Sequence, residues 1–259
     1  MPQEIPDHPS PLPTIAQLKL SDLGAALSAG LRDFLRAPAF GLLFSAFYVA
    51  GGIVLYLVAA STGQEWWLIP FVVGFPLLAP FAAVGLYEVS RRIEAGESLI
   101  WRQVLGVVFA QKDRQIPSMA MVILLIFMFW VFVAHTIFAL FMGLSALTNI
   151  TSSPAVLLHG SGPLMLLIGS AIGAVFALAV FSFTLCGLPL LLEREIDFIT
   201  AIIYSVQAVL ANKSVLAVWA ICIASLLTLG MAPLFLGLFI VLPVLGHASW
   251  HLYRRITAE

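Results

Sequence analysis

Charge and cysteine are both scarce in this chain. Only 10% of its 259 residues are charged and two are cysteine, whereas 61% are hydrophobic and the mean hydropathy is +1.06. A soluble domain carries about 25% charged and about 45–50% apolar residues. Water-soluble globular, disordered and nucleic-acid-binding classes are therefore excluded. The twelve Lys and Arg against thirteen Asp and Glu leave a net charge of −1, with no basic footprint for a polyanion. Two cysteines build neither a disulfide framework nor a Cys-based zinc site, and Cys186 and Cys222 sit in apolar runs as small core residues. No phosphate-binding Walker loop, dinucleotide glycine fingerprint, HExxH or GxSxG elbow is found, so no catalytic motif and no cofactor is expected.

What is present is a set of long apolar runs. A bilayer-crossing helix needs about 20 such residues, and six are read: 37–60, 66–87, 118–144, 164–192, 215–230 and 233–253. The last two are compressed into one stretch with Gly230-Met231-Ala232-Pro233 as the break, which implies a tight helical hairpin. Strand-like alternation is absent, against a β-barrel. The expected fold is all-α: a polytopic membrane bundle of six transmembrane helices arranged as three parallel hairpins. Residues 1–20, with Pro2, Pro6, Pro9, Pro11 and Pro13 and no apolar core, read as a disordered or polyproline-like tail rather than a signal peptide, leaving 21–259 as one transmembrane domain.

The cations are distributed unevenly. Lys19, Arg32 and Arg36 precede the first span, and Arg91, Arg92, Arg102, Lys112 and Arg114 lie between spans two and three. Arg194 and Lys213 separate spans four and five, and Arg254 and Arg255 follow the sixth, so the opposite loops hold none of the twelve. By the positive-inside rule both termini face the cytoplasm, which requires an even number of spans. Trp66 and Trp67 fall at the outer interface, Trp250 and Tyr253 at the inner one. Asn149-Ile150-Thr151 matches a glycosylation pattern that matters only in a eukaryotic secretory membrane.

Internal similarity supports the hairpin reading. At an offset of 163, Pro70, Gly74, Pro80, Arg91, Arg92 and Ile93 match Pro233, Gly237, Pro243, Arg254, Arg255 and Ile256. At an offset of 175, Asp22, Ala26 and Leu35 match Asp197, Ala201 and Leu210, and Gly74–Leu78 faintly resembles Gly187–Leu191 as a third copy. The repeating unit is a cytoplasmic amphipathic helix followed by a hairpin. In the first copy Ser21 or Asp22 caps a helix with Leu23, Leu27, Leu31, Phe34 and Leu35 on one side and Ser28, Arg32, Asp33 and Arg36 on the other. Similar helices are expected near 99–110 and 198–210, lying in the headgroup plane with apolar faces down.

The stretches LRDFLRAPAFGLLF, GFPLLAPFAAVGLYEVSRRIEAGE and the ending GHASWHLYRR resemble the proteobacterial integral membrane proteins catalogued as domain of unknown function 2189. The resemblance runs from about Leu27 to Arg255 and implies a multi-pass protein of the bacterial inner membrane, with no activity, substrate or cofactor attached. A looser likeness, in layout alone, is to the anchor domains preceding some glycerophosphodiester phosphodiesterases.

Few side chains could carry chemistry. His135 is the one ionisable residue well inside a span, and it reads as a structural histidine because a proton relay would lack an acidic partner. His247 and His251 share a helical face near the inner boundary, a spacing too poor in ligands for a metal or haem. At the offset of 163 His251 matches Glu88. Pseudo-symmetry then suggests a Glu88–His251 contact within a polar cytoplasmic-mouth cluster of Glu88, Arg91, Arg92, His247, His251, Arg254 and Arg255, suited to lipid phosphate or a partner. Pro76, Pro80 and Pro243 read as ordinary kinks, and Gly169, Gly173 and Ala177 as a close-packing stripe.

These features favour a non-enzymatic accessory, scaffold or assembly partner of membrane complexes, in contact with the bilayer and with other membrane proteins or a second copy. The alternative is a small permease or lipid-handling protein, which requires a polar cavity between the copies reached from the arginine rim. A membrane enzyme comes third, with Glu88, His247 and His251 its available groups.

Overall fold

The computed structural model describes residues 12–62, 80–143 and 159–257, and within them the secondary structure is helical throughout. In chain order the helices are α1 (Leu20–Arg36), α2 (Pro38–Thr62), α3 (Pro80–Ala95), α4 (Trp101–Ala110), α5 (Ile116–Met142), α6 (Gly162–Thr184), α7 (Gly187–Glu193), α8 (Phe198–Ala211), α9 (Lys213–Met231) and α10 (Leu238–Ile256), with a 3-10 turn at Gln111–Asp113. The first part of the expected second span, with Pro76 and both interfacial tryptophans, and the Asn149 motif lie outside the described residues.

Among the described residues three helices are long and apolar enough to cross a bilayer: Ile116–Met142, Gly162–Glu193 (α6 continued through α7) and Lys213–Met231. A fourth joins them if α1 and α2, bent by 96° where Pro38 restarts the chain, count as one span. The expected six is not reached on that criterion among the described residues. Part of the reason is α10, which occupies the sixth position. Its first half, Leu238–Leu245, is apolar, but its second half carries His247, His251, Arg254 and Arg255.

Burial separates two kinds of helix. In the three long apolar helices only 22%, 11% and 17% of the most apolar window is buried, so most of their surface faces outward, as lipid contact demands. Phe132, Leu140, Leu167 and Ile221 are among the residues on that surface. The polar half of α10 is instead enclosed: Gly246, His247, Ala248, Trp250, Leu252 and Tyr253 are all buried. α10 as a whole packs against α1, α3, α2 and α9.

α1 packs against the rest of the bundle through one face, chiefly on α10. Its buried residues are Leu23, Ala26, Gly30, Asp33 and Phe34, while Leu31 and Leu35 remain exposed. The small side chains choose the face. Ala26 is fully buried, and a Cβ on Gly30 would stand 2.5 Å from the Ala248 nitrogen and 2.6 Å from the Val244 carbonyl oxygen. Backbones that approach this closely need a residue without a side chain. Asp22 does cap α1, but from inside the first turn: its carboxylate accepts the Lys19 N–H at 2.7 Å. Its counterpart at offset 175, Asp197, is the true N-cap of α8 and accepts from the Thr200 N–H at 2.9 Å. The two matched aspartates therefore cap from different positions.

Residues 12–19, within the stretch expected to be disordered, are tied to the rest of the chain. The Ala16 N–H donates to the Ile256 carbonyl, and Asn212 at the α8–α9 corner accepts the Leu18 N–H at 2.7 Å and donates to the Ala16 carbonyl at 3.0 Å. Between α9 and α10 the chain reverses over residues 232–237 with Leu234 and Phe235 at φ 51° and 66°. Gly237 approaches Gly230 so closely that a Cβ would sit 2.8 Å from its Cα. In the packing stripe, Gly173 faces the Trp130 ring of α5, while Gly169 faces open space.

Replacing Gly30 by Ala forces α1 off α10 and should cost about 1–3 kcal/mol by overpacking. Thermal unfolding in mild detergent should show a clear drop for Gly30→Ala and none for Gly24→Ala, where a Cβ meets nothing within 4 Å. Equal midpoints for the two variants would contradict this packing.

Candidate functional site

The charged side chains interlock at one end of the molecule. Arg255 of α10 reaches Asp22 of α1 at 2.9 Å, and His251 reaches Asp33 at 2.7 Å. Arg254 bridges Glu94 of α3 at 3.2 Å and Glu193 of α7 at 3.0 Å, and Arg114 pairs with Glu195 at 2.6 Å. All four segments that hold the cations of the sequence are thus tied together by ion pairs at the same end.

One part of this end is a buried polar network joining α1, α3 and α10. Ser90 donates its hydroxyl proton to Asp33 Oδ2 at 2.8 Å, and His251 Nε2 donates to the same oxygen. With that proton engaged, His247 Nδ1, 2.8 Å from Ser90 Oγ, is the donor in its pair. The Nε2 of His247 is buried without a hydrogen-bond partner. Burial works to raise the Asp33 carboxyl, but the hydrogen bonds from His251 and Ser90, with both histidines nearby, outweigh it and hold the group below the usual aspartate value. These are the residue types of a serine hydrolase in the wrong order. A catalytic histidine stands between serine and acid, whereas here the serine stands between histidine and acid, fully buried, with its proton donated to the carboxylate.

A second part is a cavity of about 630 Å³, within the range of about 300–1,000 Å³ typical of small-ligand sites. α3 contributes Glu88, Arg91 and Glu94; the α4–α5 connection contributes Gln111 and Arg114; α7 contributes Glu193; and α10 contributes Trp250 and Arg254. Val107, Ala110 and Leu192 give it an apolar wall. The acids are held by their neighbours: Glu88 takes Arg91 and Arg92 on its two oxygens, Tyr253 donates to Glu193 at 2.6 Å, and the Trp250 indole N–H donates to Glu94 at 3.1 Å. A smaller pocket of about 250 Å³, between Arg32 and Arg36 of α1 and Ile93 and Glu94 of α3, opens onto Asp33 and His251.

The residues expected in one polar cluster divide among four settings. Glu88, Arg91 and Arg254 line the cavity. Arg92 turns toward α4, donating to Gln103 at 2.8 Å and to the Ser98 carbonyl. His247 and His251 join the Asp33 network, and Arg255 pairs with Asp22. The Glu88–His251 contact suggested by pseudo-symmetry gives way to separate partners, because Glu88 has two arginines within one turn of its own helix and α1 supplies an acid to His251. His135 donates Nδ1 to the Val131 carbonyl of its own helix at 2.7 Å. Among the described residues no three His, Cys, Asp or Glu side chains gather to hold a metal. Asp33, Ser90, Glu94, Arg114 and Glu193 were absent from the expected cluster. For Asp33 and Glu193 the available signal was an acid beside a predicted span, next to residues that would pack on the C-terminal helix.

Residues 68–193 match a family described as "Predicted integral membrane protein (DUF2189)". The resemblance read from the sequence is thus found over this stretch, from the second expected span to the end of α7; the GHASWHLYRR ending lies beyond it. The match includes the cavity residues of α3, α4 and α7, while Arg254, His247, His251 and Asp33 fall outside. No curated protein and no solved structure matches the chain.

Asp33 makes the stability of the α1–α10 junction depend on pH. Its folded-state value is depressed, so its contribution is present above the ordinary aspartate value and is lost as pH falls through the folded one. Replacing Asp33 by Asn should therefore lower stability near neutral pH and narrow the gap to wild type as the solution is acidified below the ordinary aspartate range. Melting curves from pH 7 to 3 check this, and a gap that stays constant with pH would overturn the assignment.

Proposed function

We propose that this DUF2189 integral membrane protein is a non-enzymatic, lipid-handling protein of the bacterial inner membrane. In this reading six spans are arranged as three hairpins, and the interlocked charged end lies in the cytoplasm. Three successive units, α1 with α2 and α3, α4 with α5 and α6, and α8 with α9 and α10, support the hairpins, since the two long helices of each unit pack together. Ion pairs that return four separated segments to one end support an even number of crossings between them. The lack of Lys and Arg in the opposite loops supports the cytoplasmic side.

The observation that carries the lipid-handling reading is the cavity. It lies among elements of the first, second and third units, is reached from the arginine rim, and sets an apolar wall against charged groups, as an amphiphile requires. The permease variant has less support, because the main buried cluster, which includes Leu188, Leu190, Leu191, Met119, Ile123 and Trp219, is apolar. A scaffold role rests on exposed apolar helix faces that lipid alone accounts for. Catalysis is disfavoured by the arrangement around Ser90, whose hydroxyl is buried and committed to Asp33.

Native mass spectrometry after gentle extraction tests the reading. The wild-type chain should retain a bound phospholipid, and Ala110→Phe, which fills the cavity from α4, should reduce the lipid-bound fraction at least about tenfold, the equivalent of about 1.4 kcal/mol. A wild-type chain free of lipid, or a filled variant that retains as much, would overturn it.

A further inference from the structure

The charges lining the cavity are balanced. Three arginines, Arg91, Arg114 and Arg254, face three glutamates, Glu88, Glu94 and Glu193. A site for a simple anion concentrates cations and excludes acids, since each carboxylate nearby repels the ligand. A neutral cavity that presents both signs on opposed elements suits a ligand that itself carries both.

The hydrogen-bond accounting shows which groups are still available. Arg91 uses Nε and Nη2 on Glu88, and the Glu97 oxygen nearest its Nη1 is 3.8 Å away, beyond hydrogen-bond distance. Arg254 binds Glu94 through Nε and Glu193 through Nη1, so Nη2 takes part in neither pair. Arg114 directs Nη2 to both Glu195 and the Arg194 carbonyl. Donors on three different elements therefore remain for a phosphate. On the acidic side Glu88 takes three bonds from two arginines and is only 1% exposed, which closes it to a ligand, whereas Glu94 is 41% exposed and Glu193 26%. Each oxygen of these last two takes one bond and has capacity for a second. Glu94 and Glu193 flank Arg254, so an ammonium placed on them lies beside a phosphate placed on the arginines.

We infer that the cavity is a binding site for a zwitterionic aminophosphate headgroup, with the phosphate held by Arg91, Arg114 and Arg254 and the ammonium by Glu94 and Glu193. The inference rests on the lipid-handling reading and narrows it to one headgroup chemistry. Val107, Ala110 and Leu192 then cover the glycerol end of a lipid bearing that headgroup. The same ammonium and phosphate occur in free phosphoethanolamine, so the experiment separates the two sources.

The full-length chain, delipidated in mild detergent, is offered phosphatidylethanolamine and phosphatidylglycerol of identical acyl chains, and occupancy is read by native mass spectrometry. Charge-assisted hydrogen bonds to the ammonium, worth about 1.5–3 kcal/mol, predict at least about tenfold preference for the ethanolamine lipid. Glu94→Gln should erase most of that preference while leaving phosphatidylglycerol binding intact or stronger. Arg254→Gln should weaken both lipids. Competition by millimolar free phosphoethanolamine would place the recognition in the headgroup alone, and resistance to it would place part in the glycerol and acyl contacts; each agrees with the proposed site. Equal retention of the two lipids by wild type, or an unchanged preference in Glu94→Gln, overturns the zwitterion site while leaving a lipid-binding protein. Binding of neither lipid removes both.

Discussion

A bilayer gives no refuge to an unpaired charge, and this chain answers that constraint by meeting its charges with one another at a single end. Asp22 with Arg255, Asp33 with His251, Glu94 and Glu193 with Arg254, and Glu195 with Arg114 join segments far apart in sequence. Several of these pairs are partly exposed and individually modest in worth. Their structural consequence is larger, because each fixes which helix ends lie side by side.

α10 shows how the constraint shapes a single element. Its first half is apolar, but from Gly246 onward it carries histidines, a serine, tryptophan, tyrosine and two arginines. That half is stable near a membrane only when protein covers it, and α1 supplies the cover. Gly30 permits contact between the two backbones, Asp33 supplies the acceptor for His251, and Ser90 of α3 completes the chain to His247. Close packing and polar satisfaction thus select the same face of α1 at the expense of exposing Leu31 and Leu35. The cavity between α3, the α4–α5 connection, α7 and α10 lies at the same end and takes four of its charges from the same interlock: Glu94, Arg114, Glu193 and Arg254.

Much of this was legible in the sequence wherever one local property decides. The helices at Ile116–Met142 and Lys213–Met231 follow from unbroken apolar length, α8 from its Asp197 cap, and the reversal before α10 from Gly230 and Pro233. The polar cluster was legible as a set of residue types and not as a set of pairs. Helical periodicity does put Arg91 and Arg92 within reach of Glu88 at i+3 and i+4, but it could not say that His251 finds an aspartate more than two hundred residues earlier, which depends on helix rotation fixed by packing. The face of α1 that packs on α10 was hidden because Ala26 and Gly30 count for little in hydropathy and for much in close approach. Asn212 carries no signal in the sequence, yet it holds residues 16–18, within the segment that a proline count had assigned to disorder.

The central claim is that the interlocked end lies in the cytoplasm and that the chain returns to it after each hairpin. Single cysteines placed in a background lacking Cys186 and Cys222 test it most directly, by labelling intact cells and inverted vesicles with a membrane-impermeant maleimide. Cysteines at Arg102 and Lys213 should react only from the cytoplasmic side, and those at Ser61 and His159 only from the opposite side. Labelling of positions 61 and 102 from the same side would contradict the account.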